Sequence, residues 1–409
     1  MEHNFIDKIT PLIELLHTKE YKVKLIKCMH NYNYETDKNL IYLLTKYPDI
    51  YLNDLFVGEN KLYSILHKFY NIFNLRQSKE KYFLLKSIYY ILTTISRRLI
   101  VLSTNFDDKN FDKLMNNPLN TIAIMDLTDS DFLYKMIRSK INTKGVRNYA
   151  FHHAFNIISN YLTTYKHLER KKQVPIDASQ KYADTIFMYN SFAIQHINDL
   201  FLCKKEQLPS LRYSSRWIEN LKKNREIFST SDDKAYKLKI VFMLTHVDYN
   251  VWKEELFRTI QMLLLNSKIY LVVKVHPRSI KEKNKFLKLQ SNNFQVVAND
   301  VSSSSLIDWS NVVMTISSGI VMEAIIKRKT IFYMKYLHCN QIEPEKTRSI
   351  IYKIETRDQL IDLLNLYIEN KNQNYIDEHE VKEFLKDYIG NDDYEENCMM
   401  YLKLFQDIK

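Results

Sequence analysis

Along the first hundred residues the apolar positions recur at helical spacing. Phe5, Ile6, Ile9, Leu12, Ile13, Leu15 and Leu16 fall on one stripe, and the pattern returns across Tyr82, Phe83, Leu84, Leu85, Ile88, Tyr89, Ile91 and Leu92. Residues 1–98 are therefore expected to be helical. The texture then changes. Residues 98–103 form a short apolar run ending in a polar turn, residues 111–115 have helical spacing, and residues 121–126 form another short run. Strand, helix, strand is the reading, a βαβ fragment. Residues 148–170 predict a long helix rich in aromatics, 185–189 a strand and 191–202 a helix.

Beyond a polar stretch at 220–236 the alternation becomes regular. Strands are predicted at 238–244, 269–275, 294–297, 312–316 and 330–333, with helices at 252–265 and 319–327. Strands alternating with helices predict a parallel, doubly wound sheet. Helices at 357–366, 378–388 and 394–406 end the chain, and no repeat of solenoid period is visible. Domains are expected at 1–225 (a helical start, then α/β) and 236–370, followed by C-terminal helices at 371–409.

Composition narrows the partners. The 409 residues are 45% apolar and 26% charged, a globular balance with room for two cores. Only four glycines occur, Gly58, Gly145, Gly319 and Gly390, so each is expected to hold a backbone position closed to other residues. The net charge of +11 favours anionic partners such as nucleotide phosphates, anionic lipid or nucleic acid. The many aromatics follow a helical, core-like pattern without a nucleic-acid-binding motif, so nucleic acid is set aside. The cysteines, Cys28, Cys203, Cys339 and Cys398, are scattered without metal spacing, as in a reduced cytoplasmic protein. The first residues lack the basic start and apolar core of a signal peptide, and no apolar run reaches the roughly 20 residues needed to span a bilayer. Membrane contact is then expected to be peripheral, and the basic surplus suits an anionic inner face.

Ligands of doubly wound sheets bind beyond the carboxyl ends of the strands, and two constellations sit there. The first is Lys274-Val275-His276-Pro277-Arg278. Pro277 stops the strand, which leaves His276 at the rim with Lys274 two residues back and Arg278 just after. Imidazole and guanidinium groups there can bond phosphate oxygens or stabilise a leaving phosphate. The second runs from Thr315 through Ser317, Ser318 and Gly319 to Glu323. A strand leads into two hydroxyls, a glycine and a helix N-terminus whose unpaired N–H groups favour phosphate. Glu323 lies one turn beyond Gly319, where a carboxylate could accept from a ribose diol. Either constellation alone reads more simply as a strand-end turn or a plain N-cap with a solvated Glu. Together, on one sheet, they point to a nucleotide.

The "HP" after one strand and the "SS" at a later strand–helix junction resemble the donor half of GT-B-type glycosyltransferases of bacterial surface polysaccharide synthesis. Similar proteins include sialyl- and Kdo-transferases that use CMP-sugars and CDP-glycerol glycerophosphotransferases. Residues 183–189 and 211–217 resemble the interdomain part of such proteins, and the resemblance covers about 180–340. It implies a GT-B-like α/β fold, two Rossmann-like domains with extra N-terminal helices, and final helices that cross back to the first domain. It also implies that His276, Ser317 and Ser318 contact the donor phosphate. The expected reaction is metal-independent transfer of a sugar, with a CMP-linked Kdo or sialic acid favoured, to a surface glycan or lipid-linked acceptor bound by the first domain. No cofactor is expected; the nucleotide sugar is a substrate. Transfer from CDP-glycerol and a non-catalytic nucleotide- or glycan-binding scaffold are the alternatives.

The acidic-acidic-Gly motif that carries the base in the sialyltransferases has no counterpart here. A base is still needed for the acceptor hydroxyl. Asp126, ending a predicted strand, is the candidate taken forward; Asp107, Asp108, His152 and His153 are others. Asp129 and Asp131 have the D-x-D spacing that could hold a divalent ion on a nucleotide sugar, but helix capping is the better explanation of so short a pattern, and no metal is expected.

Overall fold

A computed structural model describes residues 3–27, 37–50, 52–55, 65–66, 69–70, 72–73, 83–103, 106–126, 132–151, 183–191, 194, 203–223, 228–229, 236–245, 251–276, 280–289, 291–298, 301–316, 318–338, 351–369, 377–390 and 393–406. The chain divides into two compact units. Met1–His153, Lys181–Ile186 and Leu402–Lys409 form the first; Ala154–Gln180 and Phe187–Tyr401 form the second.

The first unit contains α1 (His3–Thr18), β1 (Leu25–Lys27), α2 (Lys38–Lys46), β2 (Leu52–Asp54), α3 (Phe83–Ser103), α4 (Asp108–Leu114), β3 (Ile122–Asp126), α5 (Phe132–Thr143) and β4 (Arg147–Phe151). β1 pairs with β2 and β3 with β4, both in parallel. Leu55, Phe111, Leu114, Met125, Ile137, Ile141 and Val146 are buried together. β5 (Thr185–Met188) stands beside β4 in the sheet order, and the division between units falls within it.

Three expectations need correction here. The helical start is interrupted by β1 and β2. Residues 98–103 are the last turns of α3 and not a strand: Leu99 continues the spacing of Leu84, Ile88, Ile91 and Ile95, and a short apolar run does not by itself distinguish strand from helix. Residues 148–151 are strand rather than the start of a helix. Val146, Asn148 and Ala150 are buried and alternate with partly exposed Arg147 and Tyr149, the period of two of a pleated strand. Asp184 secures it, its carboxylate accepting from Asn148 N (2.7 Å) and its N–H donating to Asn148 O (2.8 Å). The rest of the expected 148–170 helix lies outside the described residues.

The second unit continues with β6 (Lys204–Gln207), α6 (Ser215–Lys223), β7 (Leu238–Met243), α7 (Lys253–Leu264), β8 (Ile269–Lys274), α8 (Ile280–Phe286), β9 (Phe294–Val297), α9 (Ser303–Trp309), β10 (Val312–Thr315), α10 (Ile320–Ile326), β11 (Thr330–Met334), β12 (Ile351–Ile354), α11 (Arg357–Ile368), α12 (Glu378–Ile389) and α13 (Tyr394–Phe405). The last residues of α13 belong to the first unit, where Tyr21 Oη donates to Phe405 O (3.2 Å).

The sheet of this unit has the order β12-β11-β10-β7-β8-β9, and every pairing is parallel. All five predicted strands are present. The sequence of the strands separates two cores by parity. Ile240, Phe242, Leu271, Val273, Met314 and Phe332 face α7, α8 and α11. Val241, Met243, Val272, Val313 and Ile331 face α9, α10 and α12. Strands buried on both faces explain the near-continuous apolar runs that made them readable. β12 was not predicted; its sequence is Ile-Tyr-Lys-Ile, and it lies at the sheet's edge, where a lysine is tolerated.

The Asn293 side-chain amide braces the turn from α7 into β8. Asn293 Nδ2 donates to Ile269 O (2.9 Å) and Asn266 O (3.2 Å), while Leu271 N donates to Asn293 O (2.9 Å). The side chain is buried. Asn293→Ala leaves those carbonyls without the amide, and a loss of about 1–3 kcal/mol is expected in urea denaturation.

Candidate functional site

The strand order reverses between β7 and β10, the place where open parallel sheets take ligands. At the carboxyl edge Thr315 of β10, Met243 of β7 and Lys274 of β8 stand level, followed by Val297 of β9. Neighbouring strands are about 4.8 Å apart, so the segments leaving β10 and β8 are separated by about 10 Å across the end of β7. The two constellations read from the sequence therefore flank the switch point.

On the β8 side the ladder runs past the strand: Leu244 N donates to Lys274 O (3.0 Å) and Val275 N to Val297 O (3.0 Å). His276 follows at once and is partly exposed. Pro277 and Arg278 lie outside the described residues. Lys274 is buried on the α9 side of the sheet, and its ammonium donates to Ala298 O (2.7 Å) and to Val301 O. These carbonyl dipoles offset the burial of its charge. The side chain thereby ties β8 to the turn between β9 and α9.

On the β10 side Ser317 lies outside the described residues. Ser318 Oγ accepts from Ile320 N at 3.4 Å, a long bond. Val321 N and Met322 N donate to Ser318 O and Gly319 O, both at 3.3 Å. The first amides of α10 are thus engaged within the turn by long bonds, where the sequence suggested unpaired groups. Gly319 has φ −62° and ψ −10°, ordinary right-handed backbone, so left-handed geometry is not its reason for being there. Its carbonyl accepts from Tyr213 Oη at 3.3 Å. Tyr213 belongs to the 211–217 segment singled out in the sequence, and the fold of the second unit brings that segment to the α10 turn.

Glu323 is 5% exposed, which excludes the reading of a solvated helix-face glutamate. Its Oε1 lies 3.2 Å from Lys327 Nζ and accepts no hydrogen bond among the described residues. The ammonium of Lys327, itself buried, donates to Ser304 Oγ (2.6 Å), Ser304 O (3.0 Å) and Asp308 Oδ2 (2.9 Å). One cation therefore serves Glu323 of α10 and Ser304 and Asp308 of α9. Thr315 Oγ1, fully buried at the end of β10, also has no hydrogen bond among the described residues. Buried oxygens of this kind are uncommon and require an explanation. These two bracket the β10–α10 turn.

In the sequence Lys327 only ends the predicted 319–327 helix, although Glu followed by Lys four residues later is an ion-pair spacing on a helix. Ser304 and Asp308 carried no comparable signal. In the first unit Asp126 ends β3 in register with Phe151; its side chain lies outside the described set. Asp107 caps α4, accepting from Asn110 N (2.9 Å), and Asp108 pairs with Lys140 (2.5 Å), so both have structural work. Asp129, Asp131, His152 and His153 lie outside the described residues.

No protein-family model matches the chain, and no curated protein matches it. Solved structures do. The UDP-GlcNAc 2-epimerase of Methanocaldococcus jannaschii, in complex with UDP-GlcNAc and UDP, superposes with a TM-score of 0.56 at 13% identity, over 98% of this chain and 96% of that one. S. aureus MnaA with UDP superposes with a TM-score of 0.54 at 13% identity, over 100% and 95%. At this identity the likeness establishes the fold: GT-B-like α/β, with two Rossmann-like domains.

Proposed function

We propose that the chain is a metal-independent glycosyltransferase that moves a sugar from a nucleotide-activated donor to a glycan or lipid-linked acceptor. The observation that carries the donor site is the buried Glu323 carboxylate, paired with Lys327 and with Oε1 accepting no hydrogen bond among the described residues, on the helix that follows β10 at the switch point of the parallel sheet. In this reading that oxygen accepts from the ribose diol. Phosphate oxygens displace the long bonds in the α10 turn and meet Ser317, Ser318 and the amides of Gly319 and Ile320. His276, followed in the chain by Pro277 and Arg278, stabilises charge on the leaving phosphate. Lys274 contributes through the β9–α9 turn. Asp126 is the proposed base for the acceptor hydroxyl, and the first unit the proposed acceptor side.

Two lines support a nucleotide sugar as substrate. The sequence resembles CMP-sugar transferases at the HP and SS positions. The solved structures of like fold name UDP and UDP-GlcNAc as ligands. The deciding experiment is a thermal-shift screen with CMP, CDP, UDP and GDP. One nucleotide at about a hundredfold its Kd is expected to stabilise the protein by about 2.7 kcal/mol, read as a rise of several degrees in Tm. No shift with any of the four would sink the reading. With the nucleotide known, incubation with its sugar conjugates separates the chemistries. Acceptor-dependent transfer supports the proposal, transfer of glycerol phosphate from CDP-glycerol replaces it, and inversion of a sugar centre without acceptor marks an epimerase. Binding without turnover marks a scaffold.

A further inference from the structure

Helix α3 is built inside out. Leu84, Ile88, Ile91, Ile95 and Leu99 follow one another at steps of three or four residues and so form one stripe along the helix. Their exposures lie between 43% and 72%, and Leu85, next to them, is 41% exposed. Thr93 and Ser96, on another face, are 7% and 6% exposed. Thr93 tolerates burial because its hydroxyl donates to Tyr89 O (2.7 Å) one turn back. Among its described side chains, two small hydroxyl residues are thus buried while five aliphatic ones in a row along one face are exposed. A contiguous apolar stripe of this length goes beyond the scattered exposure of an ordinary surface and marks an interaction site. The same unit repeats the pattern on a smaller scale: Ile65, Phe69 and Ile72, spaced by four and three, are each about half exposed.

Charge decides what covers the stripe. The 21 residues of α3 include Lys86, Arg97 and Arg98 and neither Asp nor Glu, in a chain of net charge +11. An anionic surface attracts both the charge and, once reached, the apolar side chains. A helix with an apolar stripe and an all-basic complement of charges is the pattern of one that lies in a membrane interface. At about 1.5 Å per residue it is about 32 Å long. No described helix is long and apolar enough to cross a membrane, so lying on the surface is the mode that fits.

We propose that α3 docks the first unit on an anionic lipid bilayer, with Leu84, Ile88, Ile91, Ile95 and Leu99 set among the acyl chains. The stripe shares no residue with the donor site, and its assignment stands or falls independently of the glycosyltransferase reading. The test is co-sedimentation of the full chain with vesicles of phosphatidylcholine alone or mixed with phosphatidylglycerol. Wild type is expected to bind the mixed vesicles and to bind less as salt is raised. I91E/I95E, at two exposed positions, is expected to lose roughly tenfold or more of that binding, with an unchanged circular-dichroism melt. Leu119→Glu, which replaces an exposed leucine elsewhere in the same unit, is expected to bind as wild type does. The proposal is overturned if wild type ignores anionic vesicles or if I91E/I95E binds them undiminished. It is also overturned if wild type is a dimer in solution that I91E/I95E dissociates, since a second copy would then occupy the stripe.

Discussion

Glu323→Gln is expected to weaken binding of the cognate ribonucleotide roughly ten- to hundredfold, the worth of a hydrogen bond to a charged acceptor. Binding of its 2′-deoxy analogue should change far less. The carboxylate stands buried at the start of α10, paired with Lys327, so a ribose hydroxyl reaches it only once the long-bonded α10 turn gives way. Isothermal titration with the ribo- and deoxyribonucleotide gives a ratio that a merely structural Glu323 would not move. An unchanged ratio in the variant would remove the carboxylate from the ribose site.

Lys327 extends the prediction. It serves Glu323, Ser304 and Asp308 from a buried position, so Lys327→Met leaves two carboxylates without their cation. Breaking a buried pair from one side typically costs about 3–5 kcal/mol. The double variant E323Q/K327M should be less unstable than the sum of the two single changes, because the glutamine no longer needs the ammonium. Strict additivity of the urea-denaturation energies would mean that the 3.2 Å pair has no energetic weight.

The contrast between Glu323 and Lys274 shows what the sequence could and could not reveal. β7, β8, β10 and β11 were readable because strands buried on both faces must be apolar throughout, and the ends of such runs locate the sheet's edge. That placed His276, Ser318 and Glu323 near one rim. It did not give the partners. Lys274 shares a strand face with the site, yet its ammonium goes to carbonyls of Ala298 and Val301, on a turn more than twenty residues away in the chain. Parity tells which side a side chain takes and nothing about which backbone it finds there. The end of α3 was misread for the converse reason. A helix that exposes its apolar stripe supplies the same short hydrophobic run as a buried strand, and only the Leu84–Leu99 spacing, followed over four turns, separates them.

Gly390→Ala is expected to be among the most damaging single substitutions outside the candidate site. The scarcity of glycine pointed to Gly390; the reason lies with Pro209. Gly390 follows α12 with φ +82° and ψ −158°, a combination essentially confined to glycine. A Cβ there would lie 2.6 Å from Pro209 Cβ and 2.8 Å from Pro209 Cα. The proline has little freedom to retreat. Ser210 N donates to Ile389 O (2.8 Å) beside it, and Tyr401 Oη donates to Pro209 O (2.8 Å). Burial holds the Tyr401 hydroxyl well above its ordinary pKa, so it stays a donor. Backbone strain of about 1–3 kcal/mol and an overpacking cost of about 1–3 kcal/mol then act together. Gly145→Ala separates them, since Gly145 also has positive φ (+70°) but nothing within 4 Å of a new Cβ. Melting followed by circular dichroism should show Gly145→Ala paying for strain alone and Gly390→Ala losing clearly more. Equal losses would mean that the Pro209 segment yields. The loop it begins would then be softer than its hydrogen bonds suggest, and with it the Tyr213 contact to the α10 turn.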